Sequence, residues 1–162
     1  MAGVIRLMRE DDAGALAVLT GAAIRTTGAR AYAPAQVAAW VARHPGPERF
    51  VASAAKGDII LVATDAADEP VAYVLLEPGG HIDMLYCHPD HTGRGLARQL
   101  LAEAETRSLA AGMTRLFTEA SELARPVFAR AGFRLVQRND FTVAHAGRNV
   151  AIHNYAMNKP LS

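Results

Sequence analysis

Residues 88–101 read HPDHTGRGLARQLL. Gly93 and Gly95 stand one residue apart, between an apolar run (HIDMLYCH, residues 81–88) and an amphipathic one. Glycine takes left-handed dihedrals and lets a ligand approach the backbone closely. The N–H groups of a first helical turn have no partner within their helix. The helix dipole adds partial positive charge there, and Arg94 and Arg98 add full charges. Such a corner is a seat for a phosphate or pyrophosphate; a bare glycine turn is the alternative. The triphosphate-binding loop needs Lys followed by Ser or Thr after its last glycine, and GRGLAR has neither. The dinucleotide fingerprint needs three glycine-like positions after the first strand of a βαβ unit. This corner follows a later strand.

Working outward, GRGLARQLLAEAETRSLAAG predicts a helix over residues 93–112. Leu96, Leu100, Leu101 and Ala104 form its buried stripe, and Gly112 suits the position after its end. Upstream, DIILVATD (58–65) and PVAYVLLEP (70–78) are apolar and β-branched, separated by the turn-like AADE, which predicts an antiparallel hairpin. Residues 81–88 add a further strand. Before them come a strand over 4–9, a helix over 11–25 capped by Asp11 or Asp12, and a helix over 34–44 with Pro34 in its first turn. HPGPE breaks the second of these helices. After the long helix come a strand at RLFTEAS (115–121) and a short helix over 122–132 closed by Gly132. Two last strands, FRLVQRND and NVAIHNYAMNK, pair through the turn at Gly147. A hairpin followed by a βαβ unit forces one parallel pair into a mostly antiparallel sheet. The expectation is an α/β (α+β) single domain over residues 1–162: about seven strands, the fourth and fifth parallel and splayed, with four helices on both faces.

The 162 residues suit one domain, and 51% of them are apolar, enough for a full core. Lys plus Arg is 17 and Asp plus Glu is 16, a balance that argues against nucleic acid as the partner. One cysteine, Cys87, excludes an internal disulfide and a cysteine-based zinc site. No stretch resembles a signal peptide or approaches the roughly 20 apolar residues of a membrane span. The expectation is a reduced, cytoplasmic protein with no membrane partner and no metal. His88 and His91 in HPDH read as a solvated turn.

Three features in order resemble the GNAT superfamily of acyl-CoA-dependent N-acetyltransferases, in a bacterial, small-molecule-type form. The family signature is Gln or Arg, two residues, Gly, one residue, then Gly or Ala, at the start of its third helix. Here that is Thr92, Gly93, Arg94, Gly95, Leu96, Ala97. It follows a strand ending LYCHP. EASELARPVFARAGF resembles the segment that ends in the family's Gly-Phe landmark, here Gly132-Phe133. Thr92 departs from the family's Gln or Arg.

The resemblance implies acetyl-CoA as acyl donor and an amine acceptor attacking directly in a ternary complex. Backbone N–H groups from Gly93 to Arg98, including Leu96 and Ala97, would hold the pyrophosphate. The pantetheine arm would run along Leu85, Tyr86 and Cys87, adding to the fourth strand. Ser121 aligns with a family Asn that contacts the cofactor, and Phe128 replaces a family Tyr that acts as acid. Phe128 can pack against the thioester arm but donates no proton; Tyr155 or Tyr86 would substitute. The acceptor pocket would lie near Tyr32 and Trp40. Similar proteins also form homodimers.

Acetyl transfer needs a base for the amine, a donor for the oxyanion and an acid for the thiolate. By the period of two, His81, Asp83, Leu85 and Cys87 share one strand face. In similar acetyltransferases the position of His81 carries the base, so His81 or Asp83 is the candidate, directly or through water. The oxyanion donor would be the N–H of Leu85 or Tyr86. No acidic cluster points to a polyamine, so a small, modestly charged amine is expected. A protein N-terminus and a non-catalytic acyl-CoA sensor are the alternatives.

Overall fold

A computed structural model of the chain describes residues 3–44 and 46–162. Met1 and Ala2, the start of the stretch read for a leader, and Pro45 of the HPGPE break lie outside the described residues. Among these residues seven strands form one sheet: β1 (Ile5–Leu7), β2 (Ile59–Thr64), β3 (Pro70–Leu76), β4 (His81–Cys87), β5 (Arg115–Ala120), β6 (Arg134–His145) and β7 (Arg148–Pro160), in the order β1-β2-β3-β4-β5-β7-β6. Every pairing is antiparallel except β4 with β5.

Among the described residues five α-helices flank the sheet rather than the four expected: α1 (Ala13–Thr26), α2 (Pro34–Ala42), α3 (Glu48–Ala55), α4 (Leu96–Ala110) and α5 (Arg125–Arg130). The added one, α3, buries Phe50 and carries Arg49 to the sheet. Asp12 precedes α1 without capping it; its carboxylate accepts the Arg9 N–H at 2.7 Å and pairs with Arg6 at 2.7 Å.

The two faces carry separate cores. On one, Leu96, Leu100, Leu101 and Ala104 of α4 pack with Leu61, Val74, Ile82 and Leu116 of the sheet. On the other, Leu16 and Leu19 of α1 and Phe50 of α3 cover Val62, Tyr73 and Met84. The stripe expected on α4 is the buried one. Its end is a Schellman motif: Gly112, at φ +79°, donates to Leu109 O at 3.1 Å, and Met113 donates to Ser108 O at 2.9 Å.

β4 and β5 separate almost as soon as they meet. They pair only at His81 with Phe117 and Ile82 with Thr118. On its other edge β4 carries a bulge: Leu76 faces Ile82 and Leu75 faces Met84, so Asp83 is an extra residue. The bulge breaks the alternation and corrects the single-face expectation. His81 and Asp83 lie together, with donor atoms within 4.8 Å of each other and of Glu77. Leu85 and Cys87 instead pack on the α4 side, with Ile82.

Candidate active site

The splay opens two cavities that share one wall, made by Trp40, Leu85, Tyr86, Ser121 and Ala124. The first, of about 460 Å³, reaches the glycine corner. Thr92, Gly93, Gly95, Leu96, Ala97 and Arg98 line it, as does Cys87. Gly93 and Gly95 hold φ of +78° and +76°, the left-handed region. A Cβ at either would meet nothing within 4 Å, so backbone conformation and not space demands glycine. The first bond inside α4 is Gln99 N–H to Gly95 O, at 3.1 Å. The N–H groups of Leu96, Ala97 and Arg98 therefore precede the ladder and face outward. Arg94 does not line the cavity; its guanidinium lies 3.1 Å from His91 Nδ1. Thr92 Oγ1 donates to Pro89 O at 3.2 Å, closing the preceding turn.

The open edge of β4 supplies more donors. His88 N–H bonds to Val71 O at 2.8 Å, and with the register of β3 this makes Tyr86 with Tyr73 and Met84 with Leu75 the hydrogen-bonded pairs. The N–H groups of Leu85 and Cys87 then point the other way, toward β5, which has no residue in register with them. Of the two residues expected to offer the oxyanion donor, Leu85 has the N–H at the opening. Burial pushes the Cys87 thiol up, so it stays protonated at neutral pH.

The second cavity, of about 240 Å³, lies beyond the shared wall. Tyr32, Asp83, Glu119 and Phe128 line it, with Phe141, Val143 and Ile152 from β6 and β7. Phe128 is buried against Phe133 and sits on this wall, not on that of the glycine-corner cavity. Ser121 lines both, and its hydroxyl accepts the Ala124 N–H at 3.1 Å. Tyr86 Oη accepts from Trp40 Nε1 at 3.2 Å and lies 3.3 Å from His44 Nε2. Burial, with Arg49 and Arg43 nearby, holds His44 down to about 4, so the imidazole is neutral at pH 7. Burial raises the Tyr86 phenol.

His81 lines neither cavity. Its Nδ1 meets Glu77 Oε1, and its Nε2 meets Glu119 Oε1 at 2.7 Å. These carboxylates, Glu119 first, raise it to about 9 against the opposing effect of burial. At neutral pH the ring is a cation with both nitrogens occupied. Asp83 does line the cavity, and Arg49 Nη2 donates to its Oδ2 at 3.1 Å. Tyr155 lines neither cavity; its hydroxyl donates to Glu122 Oε2 at 2.8 Å, and the Arg125 guanidinium lies over its ring. The same oxygen meets His153 Nε2 at 2.6 Å, and these two bonds hold the Glu122 carboxyl below its ordinary value. Tyr32 Oη joins this group, accepting the Glu122 N–H at 2.8 Å.

Sequence reasoning missed Arg43, His44, Arg49, Glu119 and His153, all of which line the second cavity. Arg43 and His44 follow Trp40, near which the acceptor pocket is expected, by three and four residues. Arg49 sits on α3, the helix beyond the four expected.

Comparison with known proteins agrees with this architecture. Residues 28–146 match the family model of the acetyltransferase (GNAT) domain. A solved GCN5-related N-acetyltransferase from Rhodopseudomonas palustris is 32% identical, with a TM-score of 0.85 over 99% of this chain and 97% of that one. The N-acetyltransferase YafP of Escherichia coli K12 is 29% identical over 134 residues, 83% of each chain. The peptidyl-lysine N-acetyltransferase YjaB of Salmonella typhimurium is 35% identical over 79 residues, 49% of this chain and 52% of that protein. Fold, glycine corner, splayed strands and family match agree: the chain belongs to the GNAT superfamily of acetyltransferases.

Proposed function

We propose that this protein moves an acetyl group from acetyl-CoA to the amine of a small molecule, by direct attack with both bound at once. The observation that carries this reading is the pair of cavities meeting at Leu85 and Tyr86. The larger reaches unpaired amides at a helix start, which suit a pyrophosphate. The smaller is a pocket of about 240 Å³, the scale of a small molecule. Acetyl-CoA supplies the activated acyl group; the residues do the rest. The turn at Gly93 and Gly95 and the N–H groups of Leu96, Ala97 and Arg98 seat the diphosphate, and the free edge of β4 takes the pantetheine arm as an added strand.

At the shared wall the Leu85 N–H receives the charge that develops on the acyl oxygen. Asp83 takes the amine's proton through water. His81, already protonated, does not serve as base in this scheme; it holds Glu119 at the cavity. Of the two candidate hydroxyls, Tyr86 stands at the junction and is assigned the proton for the departing thiolate, while Tyr155 fixes Glu122. A protonated Cys87 is consistent with direct transfer rather than an acyl-cysteine.

The test is thermal denaturation with ligands, then thiol release. Acetyl-CoA should raise the melting midpoint, and ATP or NAD should not. Thiol release with a panel of small amines should follow. Binding without release to any amine or peptide would identify a sensor instead.

A further inference from the structure

The charges around the acceptor cavity are unequally matched. Asp83 is answered by Arg49 at 3.1 Å. Glu119 is answered by His81 at 2.7 Å, a cation below about pH 9. Arg43 lines the same cavity, and among the described residues no carboxylate pairs with it.

The signs are also separated by element. Arg43 ends α2 and Arg49 belongs to α3, so both guanidiniums come from the helical rim. Both stand near His44, adding to the burial that keeps its ring uncharged. Asp83 and Glu119 come from β4 and β5, where the sheet opens and an amine must arrive. Phe141, Val143 and Ile152 give the same cavity an apolar flank.

We propose that the acceptor carries a carboxylate beside its amine: an α-amino acid with an apolar side chain, its carboxylate held by Arg43 and its amine turned to the open edge of β4. This rests on the acetyltransferase reading above and narrows it. A guanidinium takes a carboxylate in a two-pronged, charge-assisted hydrogen bond. The same unmatched cation repels polyamines and lysine side chains, which bring only positive charge.

The experiment compares acceptors that differ only in the carboxylate. L-phenylalanine and L-leucine are tested against their methyl esters and against phenethylamine and isopentylamine. Acetyl-CoA is the donor and thiol release the readout, with wild type, Arg43→Ala and Arg43→Lys. The acids should be preferred by about tenfold or more in kcat/KM, the scale of one charge-assisted hydrogen bond. Arg43→Ala should erase that preference through the acceptor KM, and Arg43→Lys should keep part of it. The acetyl-CoA thermal shift should be the same in all three proteins, since Arg43 lies outside the glycine-corner cavity. The proposal is overturned if acetyl-CoA binds but the esters or simple amines react as well as the acids. It is equally overturned if neither acid reacts, or if the preference survives Arg43→Ala. Absence of any acetyl-CoA shift in wild type would instead defeat the acetyltransferase reading, and this inference with it.

Discussion

Arg49 Nη2 lies 3.1 Å from Asp83 Oδ2, so a residue of α3 holds the carboxylate that sits where β4 leaves β5. The pair fixes Asp83 at the cavity wall while leaving its side chain about a third exposed (32%) and open to water. Asp83→Asn preserves the shape and the contact to Arg49 but removes the proton acceptor. It should lower kcat by about 10²-fold or more. The acetyl-CoA thermal shift should be unchanged, because Asp83 lines only the acceptor cavity. Steady-state thiol release and a melting curve check both halves.

Gly95 caps α4 at φ +76°, with open space where a Cβ would go. Gly95→Ala should therefore cost only the left-handed backbone penalty, about 1–2 kcal/mol. Gly95→Asn should cost less, since Asn tolerates that region. Urea midpoints give the ranking. Gly95→Glu adds a carboxylate where the diphosphate would rest and should abolish the acetyl-CoA shift altogether.

Stability should fall on both sides of neutral pH, for two different histidines. His81 titrates near about 9 when folded and near 6.5 otherwise. The folded chain holds the extra proton, so this contribution is complete below about 6.5 and is lost as pH rises through about 9. His44 is the reverse: folded it titrates near about 4, so its contribution is complete above 6.5 and is lost as pH falls through about 4. In melting curves across pH, His81→Gln should flatten the alkaline limb. His44→Gln should flatten part of the acid limb; Asp12 and Glu122, both held low, supply more of it.

Tyr86→Phe keeps the ring but deletes the hydroxyl between Trp40 and His44. The loss of hydrogen bonding should cost roughly 1 kcal/mol of stability. If this hydroxyl protonates the thiolate, kcat should fall by about 10²-fold. Tyr155→Phe should cost less in kcat than Tyr86→Phe, because Tyr155 lines neither cavity whereas Tyr86 lines both. Parallel steady-state assays rank the two hydroxyls.

The parts of the fold that could be read from the sequence are those whose signals are local. The hairpin of β2 and β3, the stripe and stop of α4, and the glycine corner each follow from residues within one turn or one strand. α3 was legible in principle: Glu48 lies in its first turn, Phe50 and Ser53 form a buried face, and Gly57 follows its end at φ +106°. At eight residues, between two breaks, it spans barely two turns, too few for a helical period to stand out. Its faint signal hides Arg49, and with Arg49 the environment of Asp83. The bulge at Asp83 has no local sign at all, since it exists only in the pairing with Leu75 and Leu76. That is why strict alternation keeps His81 beside Asp83, as the structure does, but carries Leu85 and Cys87 to the opposite face from the one they occupy. The charge on His81 was equally hidden, because Glu119 reaches it from β5 and Glu77 from across a turn.

The surplus residue in β4 has a further implication for how such a catalyst can be lost. Excising Asp83 would restore an unbroken two-residue rhythm along the strand and erase the irregularity that coincides with its parting from β5. The same excision would take away the partner of Arg49 and the carboxylate assigned to the amine's proton. Loss of a single codon, with no core residue touched, would thus strike the shape of the doorway and its chemistry together.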